Sequence, residues 1–294
     1  MSLVEVLPAL PSVAATIGRA ALTRHPANRT RLEREVRVDA VELDAVRLAA
    51  YDRLCGFALR DRVPATWPHV LIFALQAHLM AAPEFPLPMA GIVHVSNRIV
   101  QGRPLLVGDR PDLRCRSTNF VPHRRGTAFD LVGEARLDGQ LVWRGVSTYL
   151  ALGRQLPGLV AQLPPQPDVP EVAVDWAAHR AGTWRLPADL GRRYAAVSGD
   201  YNPIHLSGLT ARPFGFARPI IHGMYPLARA LAVLDPRLPA TFALDVDFTK
   251  PIQLPARVDF SLVSIAPGWR CAVISGTGRP HLVGTVTVDA TTPA

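Results

Sequence analysis

The sequence predicts an α+β protein in which one unit occurs twice: a short helix, a long apolar helix, then a meander of antiparallel strands. Three observations predict it. Residues 66–82 (TWPHVLIFALQAHLMAA) are apolar nearly all round, the mark of a helix buried on every side. Runs of alternating or β-branched residues follow, separated by turn residues. The same order returns in the second half, beyond residues 153–170 (GRQLPGLVAQLPPQPDVP), a stretch with five prolines and no amphipathic period.

Residues 1–25 are apolar, carry Glu5 early and have no basic leading region, so they read as a docking arm or loose helix rather than a signal peptide. The first unit takes residues 26–152. A short helix over 39–58 ends at Gly56, and the long helix 66–82 tolerates Pro68 in its first turn. Strands are predicted over 91–100, 104–120, 127–137 and 140–152, with Asp138-Gly139 as a hairpin turn. Residues 153–170 form an extended, stiff linker. The second unit, 171–294, has a short helix over 186–199. A helix over 218–234 follows, with Ile220, Met224, Leu227, Leu231 and Leu234 on one face. Strands are predicted over 241–249, 256–265, 270–276 and 281–288. One curved sheet cannot cover a helix on all sides, so the two units should join edge to edge.

The composition narrows the function. With 49% hydrophobic and 19% charged residues, the 294-residue chain reads as a soluble globular protein. No apolar run reaches the roughly 20 residues of a membrane span. Cys55, Cys115 and Cys271 are odd in number and far apart, which fits neither a disulfide framework nor a zinc site and suggests the reducing cytoplasm. A net charge of +8 suggests an acidic partner. The arginines are scattered without aromatic interleaving, which argues against nucleic acid. Nucleotide-binding glycine patterns, a serine elbow and metal-ligand spacing are all missing from the sequence, so neither cofactor nor metal is expected.

Chemistry concentrates in residues 194–223, YAAVSGDYNPIHLSGLTARPFGFARPIIHG. Asp200 and His205 flank Asn202-Pro203, a turn that places both on a loop after a helix end. His222-Gly223 stands where the next helix should begin, offering a free backbone N–H to an anion. The first half has a matching helix end, with Tyr51 over Tyr194 and Gly56 over Gly199. There the glycine lies 13 residues before His69, against 23 from Gly199 to His222, and Phe57 takes the place of Asp200. The first unit therefore lacks the loop and reads as a non-catalytic copy. Asp-x-Asn-Pro alone is more often a turn cap than a catalytic element, and His222 reads as a packing residue beside the site. His69, His78 and His94 read as core or groove histidines, and Trp67, Met80, Met89 and Met224 as core. Arg212, Arg218 and Lys250 could meet phosphates or simply be solvated.

SGDYNPIH, followed by Ala211, Phe214-Gly215-Phe216, Pro219 and Ile221-His222-Gly223-Met224, closely resembles the motif of MaoC-like (R)-specific enoyl-thioester hydratases and 3-hydroxyacyl-thioester dehydratases. The first half resembles the degenerate domain of their two-domain members. The resemblance implies a double hot-dog fold and reversible (R)-specific hydration of trans-2-enoyl thioesters of coenzyme A or acyl-carrier protein. It implies Asp200 and His205 as the catalytic pair, Gly223 N–H as oxyanion donor, Asn202 and His222 as supports, and Tyr201, Pro219, Ile221 and Met224 as substrate-binding residues. One departure stands out: some relatives carry a hydroxyl residue further into the helix after His-Gly-Met, and here none follows Tyr225. A hot-dog thioesterase and a non-catalytic acyl-binding protein are the alternatives. The chain should act as a monomeric pseudo-dimer or a homodimer. The empty first copy would leave room for a long acyl chain, with Phe73 and Leu75 as groove residues.

Overall fold

A computed structural model describes residues 3–20, 23, 34–159 and 174–288. The chain begins with strand β1 (Leu3–Val6), helix α1 (Val13–Ala20) and strand β2 (Arg34–Val38). Helices α2 (Ala45–Cys55) and α3 (Trp67–Ala81) follow, then strands β3 (Ile92–Gln101), β4 (Asp112–His123), β5 (Gly126–Leu137) and β6 (Gln140–Leu152). The second half runs β7 (Arg180–Leu186), α4 (Leu190–Ser198), a 3-10 turn (Pro203–His205), α5 (Gly208–Ala211), a second 3-10 turn (Arg212–Phe214) and α6 (Met224–Leu234). It closes with β8 (Phe242–Phe248), β9 (Ala256–Ile265), β10 (Gly268–Ser275) and β11 (Pro280–Val288).

Local chemistry sets these boundaries. The Asp44 carboxylate accepts the N–H groups of Val46 and Arg47, both at 3.0 Å, and so starts α2. Gly56 and Gly199, at φ 90° and 79°, end α2 and α4 in a conformation that side chains disfavour. Asp138 and Gly139 both take positive φ and turn β5 into β6, as their sequence demands. Helix α3 buries Trp67, Ile72, Leu75 and Leu79 completely against the strands of its half.

All eleven strands form one sheet in the order β1-β2-β4-β5-β6-β3-β8-β11-β10-β9-β7. Leaving out β1, the order of the first half, read from the centre outward, repeats in the second. The halves meet where β3 pairs antiparallel with β8, from Ser96 opposite Asp247 to Gln101 opposite Phe242. On the helical side α2 packs against α4 and α6, and the corresponding tyrosines Tyr51 and Tyr194 face each other at 6.1 Å. Two buried helices, each against its half of a continuous sheet that is antiparallel apart from the β1–β2 pair, make the double hot-dog fold.

The structure departs from the sequence reading in several places. The first helix starts at Ala45, so residues 39–44 are outside it, and residues 104–111 precede β4 rather than belonging to it. The helix expected from residue 218 starts at Met224, which leaves Ile220 in an extended bridge to Gln253. Strands β1, β2 and β7 were not foreseen. The N-terminal segment is a strand paired in parallel with β2, then a helix packed on α3. Residues 160–170 of the expected linker lie outside the described residues, as do 1–2, 21–22 and 24–25 of the arm.

Candidate active site

The loop absent from the first half leaves α4 at Gly199 and is held by its own side chains. The Asp200 N–H donates to Ser198 Oγ at 3.2 Å, and Asp200 Oδ1 accepts the Asn202 N–H at 3.1 Å. Asn202 Oδ1 accepts the Ile204 N–H at 3.4 Å and opens the turn that carries His205. Thr210 Oγ1 donates to the Pro203 carbonyl at 2.7 Å, fastening α5 to that turn. From the other side, the Ile220 N–H donates to the Ile204 carbonyl at 3.0 Å, and the Ile221 N–H to the Ile252 carbonyl at 2.9 Å. Helix α4 presses from below: a β-carbon on Gly191 would stand 2.1 Å from the His205 carbonyl oxygen.

His205 is buried, and its Nδ1 lies 2.8 Å from the Ile220 carbonyl. A carbonyl only accepts, so Nδ1 carries the proton and the neutral ring presents a bare Nε2. That Nε2 lies 4.0 Å from Asp200 Oδ2, too far for a direct hydrogen bond but a gap one water spans at about 2.8 Å from each atom. His222 donates through Nε2 to the Asp200 backbone carbonyl at 2.9 Å and stacks on His205 with ring centres 3.6 Å apart. It braces both members of the pair.

Burial raises the Asp200 pKa above the usual carboxylate value, with His205 and the Asn202 N–H pulling it back. Burial lowers the pKa of His205, opposed by Asp200 and the Ile220 carbonyl. Burial and the neighbouring His205 hold His222 well below the ordinary histidine value. A neutral imidazole thus faces a carboxylate whose proton affinity is raised, and the two affinities are drawn together.

Both groups line a cavity of about 320 Å³ whose walls come from both halves of the chain. Gly223 lies in its wall at the N-cap of α6, and its N–H makes no hydrogen bond among the described residues. A β-carbon there would come within 3.1 Å of the Phe248 ring, so the glycine admits both the ring and a close ligand. Asn202, Ile221, His222 and Met224 join the wall.

Two expected substrate contacts are placed elsewhere. Tyr201 is 42% exposed and borders a separate hollow beside the N-terminal segment. Pro219 is outside the wall, and its carbonyl accepts the Leu254 N–H at 2.8 Å. In the first half, Phe73 lines the cavity, whereas Leu75 is wholly buried in the core. Sequence reasoning missed the Ile220 carbonyl, Gly191 and Phe248. Gly191, a glycine inside a helix, was the one with a readable signal.

Asp200, His205 and His222 also stand close enough for one metal ion to touch all three, a cluster the sequence spacing did not suggest. Their hydrogen bonds oppose that use. The His222 nitrogen nearest Asp200 donates to a carbonyl, and the other nitrogen of His205 does the same. Toward the shared point this leaves Asp200 and one His205 nitrogen, the arrangement of an acid–base pair, while His222 Nδ1 has no partner among the described residues.

The family described as MaoC like domain matches residues 171–279. Over 256 residues the chain is 34% identical to 3-hydroxyacyl-thioester dehydratase X of Mycobacterium tuberculosis, covering 86% of this chain and 89% of that protein. The crystal structure of HtdX of Mycobacterium tuberculosis superposes with a TM-score of 0.75 at 32% identity, covering 86% of this chain and 99% of that one. A MaoC-like dehydratase from Phytophthora capsici shares the fold at a TM-score of 0.67 and 18% identity, covering 91% and 98%. With that likeness running through both halves and the acid–base loop intact, the chain belongs to the MaoC-like dehydratase family.

Proposed function

We propose that the chain catalyses the reversible, (R)-specific hydration of trans-2-enoyl thioesters to (3R)-3-hydroxyacyl thioesters of coenzyme A or acyl-carrier protein, within fatty-acid metabolism. The observation that carries this reading is the bare Nε2 of His205 facing the Asp200 carboxylate across a water-sized gap, in a cavity that also contains the Gly223 N–H.

In hydration the thioester carbonyl points at the Gly223 N–H, where the positive end of α6 favours the charge that develops on oxygen. Water held between Asp200 and His205 attacks C3. One of the two takes its proton, and the pair returns a proton to C2 as the enolate collapses. Because one water serves both groups, hydrogen and hydroxyl reach the same face of the double bond. Dehydration runs the same steps backwards. Asn202 fixes the loop, His222 braces the pair, and Ile221 and Met224 line the acyl path.

In this reading residues 26–152 form a non-catalytic copy and 171–294 the catalytic one, with 1–25 an arm and 153–170 a linker. The two copies in one chain act as a pseudo-dimer. Three buried unpaired thiols suit the reducing cytoplasm, and no helix of the described residues is long and apolar enough to cross a membrane. The test is hydration of crotonyl- to dodecenoyl-thioesters on both carriers, followed by loss of enoyl absorbance. Asp200→Asn and His205→Ala should each slow it by about 100- to 10,000-fold with thermal unfolding unchanged. Near wild-type turnover in either variant would refute the assignment, and thiol release without loss of the double bond would make the protein a thioesterase.

A further inference from the structure

The cavity continues past Phe248 into the first half, where its wall is mostly aliphatic and aromatic: Val70, Phe73, Met80, Met89 and Ile92. Two histidines and Arg125 interrupt it. His94 lies between Tyr149 and Phe248, with ring centres at 4.7 and 4.9 Å, and its Nε2 is 3.4 Å from Asn97 Nδ2. His69, in the first turn of α3, stacks parallel on His94 at 5.7 Å and flanks Phe73 at 6.4 Å. The Tyr149 hydroxyl, Gln76 and Asn97 Nδ2 nearby are paired, whereas the buried Asn97 Oδ1 has no partner among the described residues. The Tyr149 hydroxyl donates to Gln76 at 2.9 Å, and Gln76 and Asn97 both donate to Ser147, at 3.1 and 2.9 Å. His69 differs from them: it is 5% exposed, lines the cavity, and neither ring nitrogen makes a hydrogen bond among the described residues.

A wall built only to hold an alkyl chain gains nothing from such a group, because burying an imidazole without partners costs free energy that leucine or phenylalanine would not. The cost is recovered if the ligand supplies the partner. We propose that His69, backed by His94, is a hydrogen-bonding subsite for a second oxygen on the acyl chain, a hydroxyl or carbonyl lying beyond the thioester end. This rests on reading the cavity as an acyl-thioester site. The ring-to-ring steps from Phe248 to His94 to His69 place the oxygen partway along a medium-length chain, away from C3. Burial holds His69 neutral, with a pKa of about 4, so it offers one N–H and one lone pair. That pairs with an uncharged oxygen function and not with a carboxylate. The subsite would make the enzyme selective for oxygenated acyl chains, since a few placed polar groups in an apolar pocket fix the orientation of a ligand.

Binding of saturated thioesters tests this without requiring turnover. Calorimetry would compare decanoyl-coenzyme A with isomers carrying one hydroxyl at successive positions beyond C4. One isomer should bind about tenfold more tightly than the unsubstituted chain. His69→Phe should abolish that preference while keeping decanoyl binding, and His69→Gln, which can still donate and accept, should retain part of it. Equal binding of all isomers to the wild type, or a preference that survives His69→Phe, would overturn the subsite. Failure of decanoyl-coenzyme A itself to bind would remove the acyl-thioester reading and the subsite together. A positional preference in a protein that hydrates no enoyl thioester would sustain the subsite and refute the reaction alone.

Discussion

Gly191 offers a test of how the acid–base pair is held, through a residue that touches no substrate. It lies in the first turn of α4, directly beneath the His205 backbone. Replacing it with alanine would put a methyl carbon 2.1 Å from the His205 carbonyl oxygen and 3.2 Å from its carbonyl carbon. Even a close C–H···O contact needs about 3.3 Å, so α4 and the Pro203–His205 turn must part by about 1 Å. Overpacking of this kind costs about 1–3 kcal/mol, and alanine returns close to 1 kcal/mol through its helix preference, so net stability should fall by no more than about 2 kcal/mol. The chemistry is far less tolerant. Moving His205 carries Nε2 away from Asp200 and stretches the 2.8 Å bond that fixes its tautomer. A displacement of about 1 Å costs on the order of 100-fold in rate. Steady-state hydration kinetics beside a thermal melt would show a large loss of kcat in a folded protein, with KM little changed. Wild-type kcat in a well-folded Gly191→Ala variant would refute the idea that contact with α4 sets the position of His205.

Two further expectations concern pH. His205 must be neutral for Nε2 to take a proton, and its pKa is depressed, so kcat/KM should stay level through pH 6.5 and fall only as acidity reaches that lower value; an acid limb at or above 6.5, read from a pH–rate profile, would contradict this. For stability, His69, His94, His205 and His222 are all depressed, so their contribution is complete above their unfolded pKa and is lost as pH falls. Asp52 acts the other way: burial beside Asp235 raises its pKa to about 7, and the stability of its protonated form is lost as pH rises from 3.8 to that value. Asp52→Asn should therefore raise Tm at about pH 8.5 much more than at about pH 5.5, and an equal gain at both would contradict the assignment.

What the sequence disclosed follows from which physical signals accumulate in letters. Helix α3 was legible because a run of fifteen residues broken only by His69, Gln76 and His78 is otherwise apolar, as a surrounded helix requires. The loop that carries Asp200 and His205 was legible because Asn-Pro, two glycines and a missing counterpart in the first half all marked it. Strands β2 (REVRV) and β7 (RAGTWRL) are short and interrupted by charged residues, and β7 ends the sheet, so neither accumulates an apolar run. The Ile220 carbonyl that fixes His205 is a backbone atom and leaves no trace in residue identity. Tyr201 and Pro219 show the opposite failure. They are neighbours of site residues in sequence, yet a tight turn points one away from the cavity and an extended bridge commits the other to Leu254. His69 and His94, distant in sequence from the loop, reach the same cavity only because β3 joins β8 at the centre of the sheet.

That central pairing has a consequence for how such a chain can change. A single fold that carries both reaction and recognition must alter one at the risk of the other. Here the acid–base loop hangs from one copy, and the far wall of the same chamber belongs to the other. Under the proposed function, substitutions at His69, Phe73 or Met89, which line that wall, would reshape what is admitted without touching the hydrogen bonds that hold Asp200 and His205. On the proposed reading, the copy without the loop is a replaceable mould: new substrate ranges would be reached by editing it, while the reaction is inherited intact.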